Sequence, residues 1–171
     1  PRDGICDDGP VLVAEMQGGT TLIPGDAAYR DALPTLRAAL PADAYAFQVT
    51  LPNKRRADCV ITLAGPPGAI AVDAKFPLEP YRALTAAETD AARRKALAQF
   101  RDAVRVHIGH IAERYIVPGA TADQAIMFVP SEAVYAELHA RLPEVVAEGF
   151  AKRVWLVSPT TLMATLHTLR G

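Results

Sequence analysis

Asp58-Cys59-Val60-Ile61-Thr62-Leu63 and Ala69-Ile70-Ala71-Val72-Asp73-Ala74-Lys75 are two apolar runs separated by Ala64-Gly65-Pro66-Pro67-Gly68. Short runs rich in Val and Ile, bounded by Gly and Pro, read as strands, and the turn between them makes an antiparallel hairpin. The second run is apolar until its last residues, as in a strand buried on both faces. Side chains two apart on a strand share a face, so Asp73 and Lys75 project together from its end. The hairpin brings Asp58, at the start of the first strand, to the same edge of the sheet. Two carboxylates and an ammonium therefore converge. Carboxylates can hold a divalent cation, while a lysine orients water and balances negative charge developing on a phosphate. Nineteen acidic residues and four lysines give roughly 0.4 chance matches to Asp/Glu-x-Lys, so the context carries the signal rather than the tripeptide.

The flanking sequence supplies the rest of an α/β domain. Upstream, Tyr45 to Leu51 alternates as a strand and ends at Pro52-Asn53. Before it, Ala28, Tyr29, Leu33, Leu36 and Leu40 give a helical stripe over 26–40, interrupted by Pro34. The first 25 residues are broken by Gly4, Gly9-Pro10 and Gly18-Gly19 around one short apolar run, Val11-Leu12-Val13. They read as poorly ordered or atypical, at most a poorly attached strand. Downstream, Pro77 stops the hairpin's second strand and a short helical piece covers 78–84. A long helix then runs over 88–115, with Leu97, Phe100, Val104, Ile108, Ile111 and Tyr115 on its core face. AIMFV (125–129) and RVWLV (153–157) are further strands. Pro130-Ser131 opens a helix reaching about Leu142, and Ser158-Pro159 caps a closing helix. The expected order is α-β-β-β-α-β-α-β-α, a mixed sheet flanked by helices, with 26–171 as one domain.

Composition narrows the function classes. Half of the 171 residues are hydrophobic and 22% are charged, enough for a packed core and too apolar for overall disorder. Cys6 and Cys59 stand apart, which argues against a disulfide scaffold and for a reducing, cytoplasmic setting. No apolar run approaches the ~20 residues of a membrane helix, so no membrane contact is expected from this chain. It opens on Pro1 and so reads as part of a longer protein. The net charge of -1 hides an asymmetry: residues 52–115 hold eleven basic against seven acidic side chains. Lys54, Arg55, Arg56, Arg101 and Arg105 are the candidate nucleic-acid contacts, since phosphate binding needs a basic stripe. There is no phosphate-binding Gly-rich loop before Lys-Ser/Thr and no Gly-x-Ser-x-Gly elbow. His107 and His110 have a metal spacing without a marked third ligand, so they read as helix residues.

Two carboxylates and a lysine beside Lys54-Arg55-Arg56 form the layout of the PD-(D/E)xK nucleases. The wider text resembles the RmuC family. The matching blocks are LPNKRRAD (51–58), VDAKFPLE (72–79), IMFVPSEA (126–133) and VWLVSPTTL (154–162), in the family's order. The resemblance implies a restriction-endonuclease-like core and a role in DNA recombination. It also implies that Asp58 and Asp73 hold Mg²⁺ (or Mn²⁺) with the Ala74 carbonyl, while Lys75 serves the attacking water. Family members often carry an N-terminal coiled coil, a route to oligomers, behind a membrane anchor. Neither is expected in this chain.

One departure favours a second reading. The family's helix before the first strand usually bears a Gly-Glu that can add a carboxylate to the site. Here Glu15 lies in a run broken by Gly18-Gly19, and 26–40 contains no Glu. The alternative to a Mg²⁺-dependent DNA hydrolase is thus a weakened or inactive nuclease fold that binds DNA as a scaffold. Ser158–Thr161, with exposed amides at a helix start, is a further candidate phosphate contact, and Glu132 a candidate to approach the site.

Overall fold

Five strands make one mixed sheet in the order β3-β4-β5-β6-β7, in a computed structural model that describes residues 12–16, 19–23, 34–62 and 68–170. The strands are β3 (Tyr45–Thr50), β4 (Arg56–Thr62), β5 (Ala69–Asp73), β6 (Ala125–Phe128) and β7 (Val154–Val157). The first three are antiparallel and the last two join in parallel, as helical crossovers require. β1 (Leu12–Met16) and β2 (Gly19–Ile23) pair antiparallel as a separate two-stranded sheet. A strand near Leu12 fits the short apolar run there, whereas its partner across Gly18-Gly19 was not expected. The proposed helix start at 26–33 and turn residues 63–67 lie outside the described residues. Helix α1 is described over residues 34–39, with Pro34 at its first described position.

The sheet is covered on both faces. Strand alternation sends Cys59, Ile61, Val72, Ile126 and Phe128 to one side, where they pack with Leu36 of α1 and with Leu162 and Leu166 of α6 (Pro159–Arg170). Val60, Ala71, Met127 and Val154 face the other way, under α2 (Leu78–Ala86), α3 (Asp90–Tyr115), α4 (Glu132–Arg141) and α5 (Pro143–Ala151). Along α3, Phe100, Val104, Ile108 and Ile111 are all buried, a stripe of three- and four-residue steps that seats the helix on the sheet. Thr89 starts that helix, its hydroxyl accepting from the Ala92 N–H at 3.1 Å.

The helix expected to end near Leu142 does so as α4, and a second helix that was not expected, α5, follows it directly. Pro143 reads as a stop in sequence, yet it occupies the first turn of α5, which tolerates proline. Gly149 of α5 is tightly placed: a Cβ there would lie 3.0 Å from both Leu156 Cδ1 and the Val154 carbonyl oxygen. Because that oxygen belongs to β7, it cannot yield as a side-chain tip can. Gly149→Ala is expected to destabilise by about 1–2 kcal/mol, overpacking outweighing the gain of up to ~1 kcal/mol in helix propensity. Urea unfolding measures it, and a stabilised variant would refute the close contact.

Candidate functional site

The hairpin register, Cys59↔Val72 through Thr62↔Ala69, sets Asp58 and Asp73 beside one another at one end of β4 and β5. Their parity is that of Val60 and Ala71, so both lie on the sheet face beneath α3. Both are buried, with 5% exposure each. Isolated buried carboxylates are costly, so their partners define the site. Asp58 Oδ2 accepts from the Ala74 N–H at 3.0 Å, and Asp73 Oδ1 accepts from the Lys75 N–H at 3.0 Å. Two consecutive amides at the exit of β5 thus hold one carboxylate each. Lys75 Nζ lies 3.8 Å from Asp58 Oδ1, with 61% of the side chain open to solvent. Asp58, Asp73 and Lys75 are therefore brought together, as the hairpin reading expects.

Two residues of α3 complete the surroundings. His107 Nε2 lies 3.1 Å from Asp73 Oδ1. Burial pulls its pKa down most strongly, but the hydrogen bond and charge of Asp73, the Lys75 backbone and the Asp58 charge together carry it above the ordinary value. Tyr115 donates its hydroxyl to the Arg56 carbonyl at 3.2 Å. Burial, then the charges of Asp73 and Asp58, push its pKa up to about 12. It is a neutral donor at working pH. Sequence reading placed His107 in a metal spacing and at the border of the helix's apolar stripe, without assigning it to the site. The useful signal was its place four and eight residues before Ile111 and Tyr115, on the sheet-facing row of the helix.

Behind the site, Cys59 is a buried free thiol, its pKa raised by burial and then by the Asp58 charge. It is an inert packing residue. Among the described residues no group of three or more His, Cys, Asp or Glu side chains is arranged to hold a metal. Two carboxylates still suit one class of ion. Mg²⁺ is commonly bound by one or two carboxylates and fills its remaining positions with water and phosphate oxygens.

The basic residues divide into two sets. Lys54 and Arg55 on the β3–β4 turn and Arg56 at the start of β4 are exposed, at the same end of the sheet as Asp58. This turn is well tied: Leu51 and Arg55 pair through their backbones at 2.8 Å, and Asn53 Nδ2 donates to the Arg114 carbonyl of α3 at 2.8 Å. Arg105 instead grips Glu148 of α5 with two nitrogens, at 2.6–3.0 Å, and Arg101 pairs with Asp102 at 3.2 Å. Arg101 and Arg105 have carboxylate partners, whereas Arg56, among the described residues, donates only to the Gln48 carbonyl at 3.3 Å, so Lys54, Arg55 and Arg56 carry the accessible charge.

The candidate phosphate contact at α6 is corrected. Ser158 N–H donates to Thr161 Oγ1 at 2.6 Å, and Thr161 N–H to Ser158 Oγ at 3.2 Å. Pro159 has no N–H, and the Thr160 N–H donates to Glu132 at 2.8 Å. Every amide of that first turn is occupied, and Glu132 is an α6 cap rather than a member of the Asp58–Asp73 cluster. Its pKa falls through these Thr160 contacts. Ser158→Ala is expected to destabilise by about 1 kcal/mol through loss of the cap, read by urea unfolding. DNA affinity should not change; a selective loss of affinity would restore the phosphate reading.

Residues 34–171 match the RmuC family model. The chain is 34% identical over 133 residues to the DNA recombination protein RmuC of Escherichia coli K12, covering 73% of this chain and 28% of that protein. It is 33% identical over 129 residues to the DNA recombination protein RmuC homolog of Xylella fastidiosa Temecula1, covering 72% and 26%. With the Pseudomonas aeruginosa PAO1 homolog it shares 32% over 115 residues, covering 66% and 25%. The chain spans about a quarter of the length of these curated relatives. No solved structure matches it. No helix among the described residues is long and apolar enough to cross a membrane.

Proposed function

The chain belongs to the RmuC family, and on that premise we propose that it binds DNA and hydrolyses phosphodiester bonds at Asp58, Asp73 and Lys75. The observation that carries the reading is the pair of buried carboxylates at one sheet edge, with a solvent-facing lysine 3.8 Å from one of them. This is the constellation of PD-(D/E)xK nucleases, and a restriction-endonuclease-like core is part of the proposal. The relatives' names add the setting, DNA recombination.

Each residue has a role that follows from its position. Asp58 and Asp73 would hold Mg²⁺ or Mn²⁺, with the Ala74 carbonyl as a further oxygen donor. When bound, the cation supplies Lewis-acid polarisation of the scissile phosphate. Lys75, anchored through its amide to Asp73 and open at its amine, orients the attacking water and balances charge on the phosphate. Lys54, Arg55 and Arg56 track the backbone without reading sequence.

The scaffold reading keeps one observation in its favour. The described part of α1, residues 34–39, holds no acidic side chain, and no group of three or more His, Cys, Asp or Glu among the described residues is arranged to hold a metal. Incubating the purified protein with supercoiled and linear DNA and Mg²⁺ or Mn²⁺ separates the two. Metal-dependent cutting is the expected result. DNA binding with no cutting by either metal, in this chain and in the full-length protein, would establish the scaffold.

A further inference from the structure

Outside the Asp58–Asp73–Lys75 cluster, the polar side chain with the most specific placement is His107. It lies on α3, 34 residues from Asp73 in sequence, with 23% of its side chain exposed and Nε2 3.1 Å from Asp73 Oδ1. We infer that His107 is a positioning residue for Asp73, fixing the carboxylate in the orientation in which it meets a divalent cation. The inference rests on the proposed function and adds a fourth side chain to it.

An ionised carboxylate only accepts hydrogen bonds, so the Nε2 facing it carries the proton. Asp73 Oδ1 then receives two donors, the Lys75 amide at 3.0 Å and the imidazole at 3.1 Å. Both of these bonds fall on Oδ1, and the Tyr115 hydroxyl is a further hydrogen-bonding neighbour of the same carboxylate. The imidazole is itself held firmly. Val104, Ile108 and Ile111, around it on α3, are 0–1% exposed and locked against the sheet. Because interiors are close-packed, α3 cannot slide without disturbing that stripe. Helix–sheet packing thus reaches the carboxylate from α3, through His107 on Oδ1 and with the Tyr115 hydroxyl beside it. Without His107, Asp73 keeps the Lys75 amide and the Tyr115 contact but loses its imidazole donor on Oδ1, and ordering the carboxylate becomes part of the work of binding. Groups that orient a metal ligand in this way commonly change affinity 10–100-fold.

The test is Mn²⁺ titration by calorimetry on the wild-type protein, His107→Gln and His107→Leu, with melting curves for each. Gln places an amide N–H close to the position of Nε2; Leu fills similar space without a donor. His107→Leu is expected to bind Mn²⁺ about tenfold or more weakly, and His107→Gln within about threefold of wild type. Should the His107→Leu variant fail to fold, His107→Asn, whose amide is too short to reach Asp73, serves in its place. Equal Mn²⁺ affinity in wild type and the donor-free variant would overturn the positioning role while leaving the nuclease reading intact. Absence of Mn²⁺ binding to wild type would remove both.

Discussion

Asp73→Asn is expected to leave the protein folded while lowering Mg²⁺-dependent DNA cleavage by about 10²–10³-fold or more. Asparagine keeps the shape and the Oδ1 acceptor that the Lys75 amide and His107 use. What it lacks is the negative charge that draws a cation to the carboxylate pair. Lys75→Ala should produce a loss of similar size for a different reason. Its side chain is 61% exposed, so removal creates no cavity and leaves a carboxylate that is still bonded to the Ala74 amide. Single-turnover cleavage at saturating DNA, with melting curves alongside, separates loss of chemistry from loss of fold. Asp73→Asn that cuts at the wild-type rate would remove Asp73 from the reaction.

Removing Arg55 and Arg56 together should weaken DNA binding regardless of sequence. It should also flatten the dependence of log affinity on log salt by about 0.9 for each phosphate that is no longer neutralised. Both side chains are exposed, Arg55 on the turn that Asn53 ties to α3 and Arg56 at the start of β4, and neither has an acidic partner among the ion pairs of the described residues. Arg105→Ala supplies the contrast. Its guanidinium already grips Glu148, so the salt slope should stay unchanged. Titrations of labelled duplex from low to moderate salt measure both variants. A large change in slope for Arg105→Ala, or none for Arg55→Ala with Arg56→Ala, would move the phosphate-binding surface from the turn to the helix.

The hairpin was legible because its information is local. Short apolar runs, Gly-Pro punctuation and a two-residue period together place Asp58 and Asp73 on adjacent strands, and the antiparallel register agrees. The long helix was legible through its stripe, and α3 runs from Asp90 to Tyr115 as the periodicity requires. Features created by distant residues were harder to read. His107 looks like a helix residue until Asp73, from another layer, arrives beside it. Arg105 looks like part of a basic stripe until Glu148 of α5 closes on it. α5 itself was hidden because Pro143 signals both a helix end and a permissible helix start. At Ser158 the cap was read correctly, but its completeness depends on Glu132, which takes the amide of Thr160 from 28 residues away.

A shared cation is best sought in a crystal of the protein soaked in Mn²⁺, with an anomalous difference map at the manganese absorption edge. One peak is expected at the exit of β5, about 2.1–2.2 Å from a carboxylate oxygen of each of Asp58 and Asp73, near the spacing expected for a hard divalent ion. A well-occupied peak elsewhere, or none at this edge of the sheet at millimolar Mn²⁺, would contradict a shared-cation site.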